Sequence, residues 1–221
     1  ICGRFYSKWC PPALPAGHCS DGARIDEITG CALFSGVRCF TMTHPEYMFS
    51  EMDMQASQAL VDQFHSLDDG AKQCFLREFQ QPLDQALASF MLSVVTGDQD
   101  DDVRIEAAKI LGLYRGDYDD AFIRSALIQL INAGDSEDDS LIVNCIHSLA
   151  LLDLGADEIN FALSIIEQER YVLFQSAAFS LLEQNRRLPA ARAALERLVD
   201  NRNYGRAPRR ALERVQLEDN P

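Results

Sequence analysis

The side chains best equipped for chemistry gather at one end of the chain. Five of its seven cysteines, Cys2, Cys10, Cys19, Cys31 and Cys39, fall in the first 39 positions, with His18 beside Cys19 and Asp21 close by. Gaps of 7 to 11 intervening residues suit loop closure by disulfides. Five is an odd number, so Cys74 becomes the candidate sixth partner, or one thiol stays free. A zinc ion would draw on His18 and Cys19, but no CxxC pair supplies the usual chelate spacing. The third alternative is a set of reduced, buried cysteines. A Cys19 nucleophile with His18 as base is disfavoured by geometry, because sequence neighbours rarely point their side chains at each other. The reading therefore expects disulfides and no catalytic residue, metal or cofactor.

The remaining candidates are weaker. Asp98, Asp100, Asp101 and Asp102 could suggest calcium, but an EF-hand loop needs alternating oxygen ligands, a central glycine and a terminal glutamate. This run has no glycine and leads straight into apolar periodicity, so it reads as helix capping. Asp117, Asp119 and Asp120, and then Asp135, Glu137, Asp138 and Asp139, recur at the same kind of boundary. Cys145 sits among Ile142, Val143, Ile146 and Leu149 and reads as a small buried apolar side chain. His147, on the same segment, is expected to be partly buried and hydrogen-bonded. No GxGxxG, P-loop, HExxH or GxSxG occurs.

Two regions must position these residues. The text around the first cysteines, CPPALPAGHCSDG, is rich in proline, glycine and small residues and reads as turns. CALFSGVRCFTM adds two short apolar runs around Ser35 and Gly36 that suit a small hairpin. Residues 1–45 are thus expected to form an irregular, cysteine-rich segment stapled by disulfides, which persist only in oxidising compartments. The chain opens on Ile1, as a processed precursor or an otherwise trimmed chain would. Together these features point to the periplasm or secretion, with the cytoplasm as the alternative.

Residues 46–221 read as helical. From Tyr47 onward apolar residues recur at helical spacing, and every break carries Asp, Gly, Asn or Pro. Met54–Leu67, Gly70–Phe79 and Pro82–Val95 are expected helices. Beyond them Val103, Ala107, Ala108 and Leu111 align with Leu141, Cys145, Ile146 and Leu149. They align again with Leu173, Ala177, Ala178 and Leu181, and then with Ala207, Ala211, Leu212 and Val215. The steps are 38, 32 and 34 residues. Second helices are expected at 120–132, 157–168 and 189–199. Small residues at adjacent positions let a partner helix approach closely.

The segment DQDDDVRIEAAKILG, an acidic turn entering Val-Arg-x-x-Ala-Ala-x-x-Leu-Gly, resembles a HEAT-like repeat, and the resemblance covers about half the chain. Only the first copy carries the arginine, Arg104; Ile142, Phe174 and Pro208 stand there later. The steps are shorter than a standard HEAT unit and nearer the tetratricopeptide (TPR) length. The resemblance implies an all-α fold, a short right-handed α-solenoid of HEAT-like hairpins, with TPR-like geometry as the alternative. It further implies a concave surface lined by the second helices. Arg124, Gln129, Asn160, Ser164, Arg192 and Glu196 are the polar positions expected to face it.

Charge narrows the partner. A net charge of −14 opposes non-specific binding to nucleic acid or anionic lipid and favours a basic protein partner. No apolar run is long enough to span a bilayer. One stretch departs from this balance. Nine of the 17 arginines lie between Arg186 and Arg214, against three acids, so it is about +6 by itself. The expected function is a non-enzymatic interaction scaffold. The alternatives are a HEAT-like nucleic-acid-binding protein using that basic block, and a HEAT-like enzyme akin to the bilin lyases.

Overall fold

A computed structural model of the chain describes residues 45–97, 99–134 and 139–219, with side chains from 55 to 217. The cysteine-rich segment expected over 1–45, its hairpin and its disulfides lie outside the described residues. Among the described residues the chain is all-α, with ten helices. They are α1 (Pro45–His65), α2 (Asp69–Arg77), α3 (Gln85–Thr96), α4 (Asp101–Leu113) and α5 (Ala121–Ala133). They continue as α6 (Asp139–Leu149), α7 (Ala156–Glu167), α8 (Val172–Gln184), α9 (Pro189–Arg197) and α10 (Ala207–Asp219).

α2, α3 and α4 begin where a short polar side chain accepts the unpaired amides of the first turn. Asp68 accepts from Ala71 N at 2.9 Å, Asp84 from Leu87 N at 2.7 Å, and Asp100 from Asp102 N at 3.0 Å. Pro189 opens α9, where its missing N–H costs nothing. The acidic run before α4 is thus a cap in the structure, as expected. Arg104 in that helix donates from Nε to the carbonyl of Val95 at 3.0 Å, which ties α4 to the end of α3.

Contacts are mostly between neighbours in sequence, consistent with a helical repeat. α2, α4, α6 and α8 pack in succession as one row, and α1, α3, α5, α7 and α9 as a second. The core lies between the rows, where Leu111, Leu127, Leu149 and Ala178 are fully buried. α10 packs on α9 and makes no comparable contact with α8. The alignment on small residues pairs α4 with α5 and α6 with α7. The tighter pairs in the structure straddle those units: α3 with α4, α5 with α6, α7 with α8. Connector length accounts for this. Four residues, 97–100, join α3 to α4 and four, 168–171, join α7 to α8, whereas seven, 114–120, separate α4 from α5.

The row α4–α6 is held by a close backbone approach. A Cβ added at Gly112 would stand 2.9 Å from Ser148 Cα, and Ser148 donates its buried hydroxyl to the Ala108 carbonyl at 2.6 Å. The alignment at α8 needs one correction. Leu173, matched to the buried Val103 and Leu141, is 43% exposed, and Phe174 is the residue buried there. Arg170 lies over the Phe174 ring at 5.5 Å and Tyr171 meets it edge-on, so this phenylalanine is clasped inward.

Candidate functional site

The connectors at one end of the two rows are fastened by a charged latch. Asp120, only 2% exposed, accepts from Arg124 Nε at 2.8 Å and from the backbone amide of Asp153 at 2.9 Å. The buried Nε of Arg115 stands 3.3 Å from the same carboxylate, in an ion pair not aligned as a hydrogen bond. Arg115 also grips Asp153 through both terminal nitrogens, and Arg124 reaches on to Glu158. Glu158 in turn accepts from Gly155 N at 2.8 Å, which starts α7. Arg115 and Asp153 are 38 residues apart, and so are Asp120 and Glu158. Equivalent positions of two successive units therefore supply both halves of the latch.

Electrostatics follow from this arrangement. The hydrogen bond from Arg115 holds the Asp153 carboxyl below its ordinary range. At Glu158 burial favours the neutral form, but the backbone amides of Glu158 and Gly155, together with Arg124, outweigh it and lower the pKa. A carboxyl whose folded pKa lies below its unfolded value contributes stability above the unfolded pKa and loses it as pH falls through the folded one. Glu158→Gln should therefore be less stable than the wild type at neutral pH, and the gap should close as pH falls below the ordinary glutamate pKa and through the lowered folded one. Urea unfolding at stepped pH checks this; a gap that stays constant with pH contradicts it.

The six polar positions expected to face a partner divide in two. Gln129 on α5, Asn160 on α7 and Glu196 on α9 are exposed on consecutive members of one row. Ser164 is half-buried and donates to the Phe161 carbonyl at 2.7 Å. Arg192 is half-buried, with Nε 3.3 Å from the Arg186 carbonyl. Arg124 belongs to the latch. Helical spacing showed that Arg124 is on the right helix, but it could not show that Asp120 sits one turn before it and turns inward. The capping expected of Asp120 is done by Asp119, which accepts from Ala121 N at 3.0 Å. The 38-residue step was the signal that could have exposed the latch, since it places Arg115 opposite Asp153.

The thiols separate by burial. Cys74 is an exposed free thiol on α2, and its expected disulfide partners, Cys2, Cys10, Cys19, Cys31 and Cys39, lie outside the described residues. Cys145 is buried on α6, and that burial pushes its thiol up to about 12, so the thiolate needed for reaction is scarce. Alkylation of the native protein at about pH 8, followed by peptide mapping, should modify Cys74 and reach Cys145 only after denaturation. Equal labelling of both in the native state would contradict this. His147 on α6 is exposed, not partly buried as expected, and lines a shallow depression with Lys109, Leu113 and Leu151. Among the described residues no group of three or more His, Cys, Asp or Glu side chains is placed to hold a metal ion. No helix among them is long and apolar enough to cross a membrane.

The basic block is partly spent on ion pairs with the preceding units. Arg197 pairs with Glu167 at 2.6 Å, Arg214 with Glu183 at 3.0 Å and Arg209 with Asp200 at 3.5 Å. Beside it, α8 and the start of α10 enclose a groove of about 640 Å³ that the sequence did not announce. Comparison with models of known protein families, with curated proteins and with solved structures finds no match to this chain.

Proposed function

We propose that this protein is a non-enzymatic interaction scaffold of the periplasm or the secreted space. It is built as a short right-handed stack of HEAT-like hairpins, and it binds a basic protein partner across the row α5–α7–α9. The observation that carries the reading is the continuity of that row. α5 packs on α7 and α7 on α9, and each presents an exposed polar side chain: Gln129, Asn160 and Glu196. Helical-repeat stacks offer long surfaces of this kind to protein partners. The paired Ala107 and Ala108 and the link from Arg104 to the preceding helix favour HEAT-like over TPR-like units. The net charge of −14 favours a basic partner over an acidic one on this face.

The test is affinity capture from the source organism with the wild type and with a Gln129→Arg, Asn160→Arg, Glu196→Arg triple variant. All three positions are exposed, so the variant should melt like the wild type. A protein retained by the wild type and lost by the variant supports the reading. Identical retention of every captured protein overturns it.

A further inference from the structure

We propose that the groove between α8 and α10 binds a short acidic peptide segment anchored by one large apolar side chain. The inference goes beyond the scaffold reading, because the groove lies away from the row α5–α7–α9. Its first wall is one face of α8, formed by Val172, Gln175, Ser176 and Phe179, which follow one another at helical spacing. The opposite wall is Asn203, Tyr204 and Ala207, ahead of and at the start of α10. Phe179 and Tyr204 stack at 4.9 Å and make an apolar floor. The groove exists because α10 rests on α9 and leaves the flank of α8 uncovered. Farther along the two helices the Arg214–Glu183 ion pair ties α10 to α8, and Val172, at the start of α8, is 65% exposed.

The rim decides the charge of the occupant. Pro208, Ala211 and Val215 form the buried face of α10. Ala207, Arg210 and Arg214 follow at positions three and four residues apart along the edge turned towards α8. Arg202, Arg206 and Arg210 are exposed and make no ion pair among the described residues, in contrast to Arg197, Arg209 and Arg214. Arg202 adjoins the lining residue Asn203, Arg206 adjoins Ala207 and Arg210 follows it by one turn, so these guanidiniums complement carboxylates flanking an aromatic or aliphatic anchor. Exposed Ser176 and Asn203 can hydrogen-bond the backbone of such a segment. Screening over roughly 8–10 Å makes the rim dominate the field met by a short peptide, despite the acidic chain around it. A long polyanion such as nucleic acid would extend beyond the rim into that acidic surface, which disfavours it here.

The test pans a phage-displayed random dodecapeptide library on the full chain, then measures a fluorescently labelled synthetic copy of the most enriched peptide. Peptides with Asp or Glu on both sides of Leu, Phe or Trp should be enriched. Their affinity should fall by about tenfold or more for Arg206→Glu, Arg210→Glu and likewise for Val172→Glu. It should stay unchanged in the Gln129→Arg, Asn160→Arg, Glu196→Arg variant, which separates failure here from failure of the scaffold reading. Positions 172, 206 and 210 are exposed, so unchanged melting curves will show that the fold is intact. The proposal is overturned if no acidic peptides are enriched, or if either groove variant binds them as the wild type does. It is also overturned if a duplex DNA probe at low salt, and no peptide, is what the arginine reversals release.

Discussion

Asp120→Ala is expected to lower the free energy of unfolding by about 3 kcal/mol, a large effect for one exchange at a helix start. The residue is 2% exposed, accepts from two donors, Arg124 Nε and the amide of Asp153, and faces the charge of Arg115 at 3.3 Å. Removing one partner of a buried pair costs about 3–5 kcal/mol because the other charge is left uncompensated. The lower end applies here, since Arg124 keeps Glu158, Arg115 keeps Asp153, and both guanidiniums retain some contact with solvent. Part of the loss is the Asp153 amide, which becomes an unsatisfied donor. Asp120→Asn keeps an acceptor for that amide and should cost about half as much. Asp119→Ala removes only an exposed cap and should cost about 0.5–1 kcal/mol. Urea unfolding of the three variants ranks them. An Asp120→Ala protein no less stable than Asp119→Ala would show that the latch does not hold.

The latch illustrates which parts of this molecule its sequence expresses. Periodicity and caps located α2, α3, α5, α7 and α9 to within a few residues, because each buries one apolar face and starts at or beside Asp or Pro. Periodicity says which face turns inward and nothing about which helix it meets. Pairing was therefore misassigned, with α4 joined to α5, where connector length and the Gly112–Ser148 approach favour α3 and α6. Consecutive large apolar residues defeat phase altogether. Tyr171, Val172, Leu173 and Phe174 offer four candidates for one inward position, and only the clasp of Arg170 and Tyr171 on Phe174 selects among them.

The same ambiguity hid the groove. An apolar run with one residue drawn into the core must leave its neighbours outside, which is why Val172 and Leu173 are exposed and Val172 lines the groove. The uneven arginine distribution was legible, yet it could not tell paired from unpaired guanidiniums. Glu167, Asp200 and Glu183 neutralise Arg197, Arg209 and Arg214, and the partners of the first and last are about thirty residues away in sequence. Likewise Gln129, Asn160 and Glu196 were readable as exposed members of one row, whereas Arg124 could be read only as polar and helical. A buried polar contact depends on two residues meeting. Single-helix spacing constrains one of them.

Gly116→Ala is expected to cost about 2–4 kcal/mol, with the sign reversed from the usual effect of adding a methyl group to glycine. Gly116 lies on the connector between α4 and α5, where the chain runs against the segment before α3. Leu83 N donates to the Tyr114 carbonyl at 2.8 Å, and a Cβ at Gly116 would fall 1.9 Å from the Leu83 carbonyl oxygen. That neighbour is backbone, and it is anchored. Leu83 is 2% exposed, and the next residue, Asp84, caps α3 and accepts from the buried Ser57 hydroxyl. Relief of the clash must therefore disturb the start of α3 and its tie to α1. Gly134→Ala meets Ile142 side-chain carbons at 2.3 and 2.5 Å and touches backbone only at the Leu130 carbonyl, 3.3 Å away; the buried Ile142 side chain must shift, and the cost should be about 1–2 kcal/mol, below that at Gly116. Gly70→Ala, in the first turn of α2 with its nearest atom 3.7 Å away, should stabilise by about 0.5 kcal/mol. Thermal unfolding of the three variants tests the order. If Gly116→Ala melts at or above Gly70→Ala, the close packing of the connector against Leu83 is wrong, and with it the account of how α3 is anchored.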